Sequence, residues 1–305
     1  MRARWAGTGA VGAALVVLSL VAGCSSGGSG GSDGSDRSDG TPNPVPSASP
    51  PSMPTVPSGP TVPSGRPVVP PPVGARFDYQ IGEPYPAPAG VTVVSRDSGA
   101  DPAAGLYSIC YLNAFQVQPG SEEWWRQHHP DLLLRDRKGA QVIDKAWQEP
   151  LLDVGTEAKR AALAEIEYTW IDGCAAKGFQ AVEPDNLDSY SRSDGLLDPS
   201  HAVAFAALLA RRAHADGLAI GQKNGAEILD RRAEVGFDFA VAEECGSTDE
   251  CGQYLAAYGG RVLDIEYDDA GFGAACRQAK AEMAVVRRDH DVTGPGNAKH
   301  VYRQC

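Results

Sequence analysis

Eight short apolar runs between Phe77 and Asp289 constrain this chain more than any other feature: "FDYQI", "VTVVSRD", "YSICYLN", "FQAVEPD", "LAIGQKN", "FDFAVAEE", "VLDIEY" and "MAVVRRD". Short runs dense in Val, Ile, Phe and Tyr read as strands buried on both faces. Longer helical patterns lie between them. "TEAKRAALAEIEYTWIDGCAAK" opens at Thr156, a plausible N-cap, and closes near Gly178; "DPSHAVAFAALLARRAHADG" opens at Asp198–Pro199 and stops at Gly217. Strands alternating with helices over this length predict an α/β fold, a (β/α)8 TIM barrel in one domain spanning residues 77–305. A doubly wound sheet is the alternative, but no Gly-rich phosphate loop follows the early strands.

The chain ahead of Phe77 has a different character. Arg2 and Arg4 precede the apolar run "AGTGAVGAALVVLSLVAG", and "LVAGC" reads as a lipoprotein signal box, with residues 1–24 the signal and Cys24 the lipidated residue. A cleaved signal without lipid, or an uncleaved anchor, is the alternative; the run is short for a span and rich in glycine. Residues 25–76 are Gly/Ser/Asp-rich and then Pro-rich, too poor in apolar side chains to offset ordering entropy, so they read as a disordered tether. The expected location is outside the cell, lipid-anchored to the outer face of the membrane. The formal charge of −12 grows more negative once the two signal arginines are removed. An acidic, exported chain argues against a nucleic-acid partner and suits a cationic substrate. A monomer is the default.

With Cys24 set aside six cysteines remain, an even number in an oxidising compartment, so three disulfides are expected. A metal site is not: Cys245 and Cys251 lack a second close pair, and no His-x3-His pattern is present. No cofactor is indicated.

In a barrel the C-terminal strand ends face the active-site mouth. Those ends carry Asp97, Asn113, then Glu183, Asp185 and Asn186, then Lys223 and Asn224, then Glu243 and Glu244, then Glu266, Tyr267 and Asp268. Carboxylates crowded at the end of an apolar strand repel one another and lose hydration. Such crowding has a use in a site, because a neighbouring negative charge raises the pKa of one partner into a working range.

At these residues the sequence resembles glycoside hydrolase family 114, the endo-α-1,4-polygalactosaminidases. "KGFQAVEPDNLDSY", "GLAIGQKN", "FDFAVAEECGSTDEC", "ICYLNAF" and "VLDIEY" carry the likeness, which spans nearly all of residues 77–305. It implies a (β/α)8 barrel that cleaves α-1,4-linked galactosamine or N-acetylgalactosamine polysaccharide, internally and with retention. The family's two catalytic acids fall on Asp185 of "EPDN" and on Glu243. Where members commonly read Asn-Glu-Gln-Cys, this chain has Ala242-Glu243-Glu244-Cys245. By analogy with barrel α-glycosidases Asp185 is the nucleophile and Glu243 the acid/base; the two roles are exchangeable at this stage. Asp97, Asn113, Glu183, Asn186, Lys223, Asn224, Glu244, Glu266 and Tyr267 are then candidate substrate contacts or pKa-setting groups.

Plainer readings stand beside these. Asp185 and Asn186 suit a turn, Asp97 starts a turn at Ser98–Gly99, and Lys223–Glu183 suits a structural ion pair. Trp124, Trp125 and Tyr190 suit sugar stacking or simple packing, His128–His129 a solvated pair, and His201 and His214 a helix surface. The competing function is a carbohydrate-binding lipoprotein without catalysis; a metal-dependent hydrolase is weaker for want of histidines at the strand ends. Six cysteines allow fifteen pairings. Cys245–Cys251 closes a short loop after Glu243. Cys110–Cys174 joins a strand to the helix leading into the next strand, and matches the family. Cys276–Cys305 then fastens the C-terminus.

Overall fold

The computed structural model describes residues 65–305 apart from Lys280. The signal, Cys24 and the tether through residue 64 lie outside the described residues. Eight parallel strands follow one another around the sheet: β1 (Phe77–Gln80), β2 (Val93–Asp97), β3 (Tyr107–Leu112), β4 (Ala181–Pro184), β5 (Ala219–Lys223), β6 (Phe239–Glu243), β7 (Val262–Glu266) and β8 (Ala284–Arg288). A short β9 (Tyr302–Gln304) runs antiparallel to β8. Side chains draw the two ends of the sheet together. Arg288 Nη1 lies 3.1 Å from Asp78 Oδ1, and the Gln304 amide donates to the Phe77 carbonyl at 2.6 Å. This is the expected TIM-barrel fold, almost closed.

Alternation along the strands makes two cores. Side chains of one parity, among them Phe77, Tyr79, Val93, Ile109, Ala181, Ala219, Phe239, Val241, Leu263 and Ile265, fill the barrel. Those of the other parity, such as Cys110, Val182, Ile220 and Ala240, pack outward with helix residues including Leu163, Ile171, Phe205 and Leu209. Gly221 faces inward where a Cβ would meet the Phe239 ring at 2.8 Å, so the large ring requires the glycine opposite it.

The helices are α1 (Glu122–His128), α2 (Glu157–Lys177), α3 (Pro199–Ala215), α4 (Arg232–Val235), α5 (Cys251–Tyr258) and α6 (Asp269–Ala279). Thr156 caps α2 and a left-handed Gly178 ends it. Asp198 and His201 form a reciprocal capping box ahead of α3, with Pro199 in its first turn. Strict alternation fails early: no helix follows β1 or β2. Pro84, Pro86 and Pro88 forbid one in the first connection, and the second is a nine-residue loop.

All three expected disulfides form. Cys110 of β3 joins Cys174 of α2, Cys245 joins Cys251, and Cys276 of α6 joins Cys305, with Cα separations of 6.1, 4.8 and 5.6 Å. Each closure adds on the order of 2–4 kcal/mol. The last part of the Pro-rich segment is packed as well. Pro71 is buried, Arg66 Nη1 donates to the Phe179 carbonyl just before β4, and the Tyr107 hydroxyl at the start of β3 donates to the Val69 carbonyl. Residues 66–76 thus run along the N-terminal ends of the strands, opposite the mouth.

Candidate active site

The inward parity continues to the C-terminal strand ends and delivers Tyr111, Glu183, Asp185, Lys223, Glu243 and Tyr267 to one place. The centre is the Lys223 ammonium, 1 % exposed. Its Nζ lies 3.1 Å from Glu183 Oε1, 3.1 Å from Asp185 Oδ1 and 3.3 Å from Glu243 Oε2, and it donates to the Tyr79 hydroxyl at 3.0 Å. Burial disfavours its charge, but Asp185, Glu243 and Glu183 together hold it well above the ordinary lysine range.

The three acids occupy different depths. Glu183 is deepest, with both oxygens engaged by Tyr79 (2.9 Å) and Ser95 (2.6 Å) besides Lys223; burial pushes it above the usual glutamate range. Asp185 is next, its side chain 15 % exposed. Burial raises its carboxyl, but Lys223, the Tyr111 hydroxyl at 2.7 Å and the Asn186 backbone N–H at 2.7 Å outweigh that and hold it below the usual aspartate range. Glu243 is the most open at 25 %. The Asn224 amide donates to its Oε2 at 3.1 Å, its own N–H donates to Asn224 Oδ1 at 2.8 Å, and the Tyr267 hydroxyl donates to Oε1.

A common backbone device presents these side chains. Asn186, Asn224 and Glu244, each directly after Asp185, Lys223 or Glu243, have φ of 62°, 49° and 59°. A left-handed residue turns the chain sharply off the strand and leaves the preceding side chain at the rim. Asparagine tolerates this conformation better than most residues, whereas Glu244 carries strain there.

Above Glu243 a cleft of about 350 Å³ opens, lined by Trp147, Asp188, Asn224, Glu227, Glu244, Glu250, Tyr254, Tyr267 and His290. A larger hollow of about 680 Å³, between the Pro84–Val91 loop and Ala103–Leu106, includes none of the carboxylates around Lys223. Behind the cleft the Asn186 amide donates to Asn113 Oδ1 at 2.8 Å, and the Asn113 amide donates to Glu149 at 2.9 Å. Arg192 donates to Asn186 at 2.9 Å and contacts Asp144 at 2.6 Å and Asp188 at 3.0 Å. Burial, opposed by Asn113 and reinforced by Asp185, pushes Glu149 up to about 7.

Two carboxyl groups at the mouth of a barrel, at the ends of β4 and β6 and bridged by one cation from the β5 strand between them, suit glycosidic cleavage. Residues 59–305 match the sequence profile of Glycoside-hydrolase family GH114. The chain belongs to that family. It is a glycoside hydrolase. Its fold is similar to that of Ega3 from Aspergillus fumigatus, solved in complex with galactosamine: 22 % identity, TM-score 0.63, covering 78 % of this chain and 98 % of that one. The glycoside hydrolase domain of PelA from Pseudomonas aeruginosa is similar at 16 % identity and TM-score 0.52, covering 72 % and 96 %. No curated protein matches the chain.

Within this GH114 barrel the expected site residues divide. Asp185, Lys223, Asn224, Glu243, Glu244 and Tyr267 gather at the cleft, with Asn113 and Asn186 behind it. Glu183 lies beneath, with no exposed surface. Glu266 is also fully buried and points the other way, because it alternates with the inward Ile265 and Tyr267; it accepts from the Gly246 N–H at 2.6 Å and Ser247 Oγ at 3.1 Å. Asp97 takes the Gly99 N–H at 2.7 Å and serves a turn. Cys245, Cys251, Asp264 and Glu266 place potential ligand atoms within 4.8 Å of one another, but the two sulfurs are bonded to each other.

Other assignments also resolve. Trp124, Trp125 and Trp170 pack together, and His128 and His129 lie against that cluster, His128 still exposed and His129 half-buried. The Tyr190 hydroxyl donates to Glu227 at 2.6 Å, and His214 bonds Asp238 at 2.8 Å. Sequence reasoning passed over Tyr79 and Tyr111, for which the inward parity of β1 and β3 was the available signal. Trp147, Glu149 and His290 come from loops, where no periodicity points to them.

Proposed function

We propose that this chain hydrolyses α-1,4-linked galactosamine-containing polysaccharide internally and with retention of configuration. The observation that carries the reading is the shared ammonium: Asp185 and Glu243 lie 3.1 and 3.3 Å from Lys223 Nζ. Their contacting oxygens are therefore no farther apart than the sum of those contacts. That proximity is compatible with the roughly 5–5.5 Å separation of retaining pairs.

Asp185, kept ionised, attacks the anomeric carbon as the glycosidic C–O bond breaks, and Glu243 gives its proton to the leaving oxygen. Water then attacks the same carbon, returns a proton to Glu243 and frees Asp185. Glu243 suits the proton-carrying role because it opens to the cleft, where leaving group and water arrive. The cleft supports an amino sugar: Asp188, Glu227, Glu243, Glu244 and Glu250 line it without any lysine or arginine, and such a lining favours an ammonium over an acetamide. Ega3, the fungal neighbour, was solved with galactosamine.

Incubation with a purified galactosamine polymer tests this. Fresh reducing ends of α configuration by NMR, and fragments of mixed length, are expected; β ends would reverse the mechanism, and release of monomer alone would replace internal with terminal cleavage. We also propose export and attachment to the outer membrane face through a lipid on Cys24. Cys24→Ala should abolish lipid labelling, and membrane retention without labelling would point to an uncleaved anchor.

A further inference from the structure

Three of the tryptophans among the described residues pack on one another; the fourth, Trp147, is 55 % exposed beside the cleft. Its ring stacks on His290 at 5.3 Å and 18°, and His290 leans on Tyr267 at 5.1 Å. The Tyr267 hydroxyl in turn holds Glu243. A row of rings therefore leads from the acid out of the mouth, assembled from the end of β7, the loop after β8 and the loop after β3.

The exposed indole is firmly held. Asp144 Oδ1 accepts from the Ala146 N–H at 2.8 Å, the Gln148 N–H donates to the Asp144 carbonyl at 2.8 Å, and the Asp144 N–H donates to the Glu149 carbonyl at 2.8 Å. Gln148 takes a left-handed φ of 60°, which closes the turn directly after Trp147. Asp144 is paired with Arg192, and Glu149 takes the Asn113 amide, so the turn shares the network behind Asp185. A large aromatic face left in water on a pinned turn is unfavourable unless something covers it. The C–H face of a sugar ring fits both its shape and its position.

We infer that Trp147, backed by His290, is a stacking platform for a hexosamine unit of the polymer outside the scissile pair. The two ring spacings carry it past the sugar held between Asp185 and Glu243, so it engages a neighbouring unit. The carboxylates Glu227, Glu244 and Glu250 in the same cleft provide partners for that unit's amine. This assignment rests on the reading of the cleft as a polysaccharide site and names a subsite within it.

The test uses full-length protein. Trp147→Ala should raise KM for the polymer roughly tenfold, with kcat changed less than KM, and Trp147→Phe should recover most of the loss. In parallel, the Asp185→Asn variant, with and without Trp147→Ala, is titrated calorimetrically with oligosaccharides of galactosamine, of N-acetylgalactosamine and of α-1,4-linked glucose. Weaker galactosamine-oligomer binding after Trp147→Ala supports the platform. Equal binding with and without Trp147 overturns it and leaves the substrate reading intact. Trp147-dependent binding of another sugar alone keeps the platform and overturns the galactosamine reading. Binding of none of the probes overturns both.

Discussion

Two groups of carboxyls, one half-buried and one fully buried, sit on adjoining strands and behave in opposite ways. Around β4–β6, Asp185 and Glu243 share the Lys223 ammonium, and Asp185 is held in its charged form. On β7, Asp264 and Glu266 have no lysine or arginine partner among the described residues. Burial, then mutual repulsion, pushes Asp264 well above the aspartate range, and burial raises Glu266 as well. The β7 pair keeps a proton and pins the loop after Glu243, taking the N–H groups of Cys245 and Gly246. The difference is one step of strand parity. The acids of β4–β6 that face the barrel axis meet a cation and, on the proposed mechanism, carry the chemistry; those of β7 that face the helices hold a loop.

The strongest way to break the contrast is to neutralise each acid of the first group. Asp185→Asn and Glu243→Gln should each lower kcat by about 10²–10⁴-fold or more with unchanged circular dichroism. Loss of similar size from Asp264→Asn would erase the distinction.

Lys223→Met comes next. It strands three carboxyls around a vacated charge and should cost on the order of 3–5 kcal/mol by urea unfolding. The lowered Asp185 carboxyl contributes stability that is present above its unfolded pKa and lost as pH falls through its folded one. Without Lys223 that contribution shrinks, and the acid limb of kcat/KM moves to higher pH. An unmoved limb would separate Lys223 from Asp185.

Asp264→Asn acts with the opposite sign. The folded chain retains a proton there that the unfolded chain releases, so stability falls as pH rises above the ordinary aspartate pKa. The amide removes that dependence. Its melting temperature at neutral pH should rise by about 2–4 °C and vary less with pH, with kcat nearly unchanged. Glu244→Gln is the mildest change, leaving kcat within about threefold of the parent, because Glu244 lies on the exposed side of the turn. If it abolished activity while Glu243→Gln did not, the two neighbours would exchange roles.

Much of this was legible in the sequence, for physical reasons. Eight strands follow from dense apolar runs, and the starts of α2 and α3 follow from Thr156 and Asp198–Pro199. The acids at the strand ends stand out because apolar runs rarely end that way; the close spacing of Cys245 and Cys251 and the family likeness at Cys110–Cys174 left Cys276 for Cys305. Parity at the end of β7 was not legible: "DIEY" offers Glu266 and Tyr267 equally until the register with β8 sets their directions. β9 reads "YRQ", with no apolar pattern, and is held by its partner strand and the Cys276–Cys305 bond. Residues 66–76 read as tether by composition, yet pack through backbone and arginine contacts that hydropathy does not record.

The most direct test of the central claim is to trap the glycosyl-enzyme. The full-length protein is incubated with a fluorinated galactosaminyl donor that slows the second step, then digested, and the labelled peptide is sequenced by mass spectrometry. One sugar ester on Asp185, absent in Asp185→Asn and accumulating to a higher level in Glu243→Gln when the donor carries a leaving group that needs no protonation, is the predicted result. A label on Glu243 or Asp188 would contradict it.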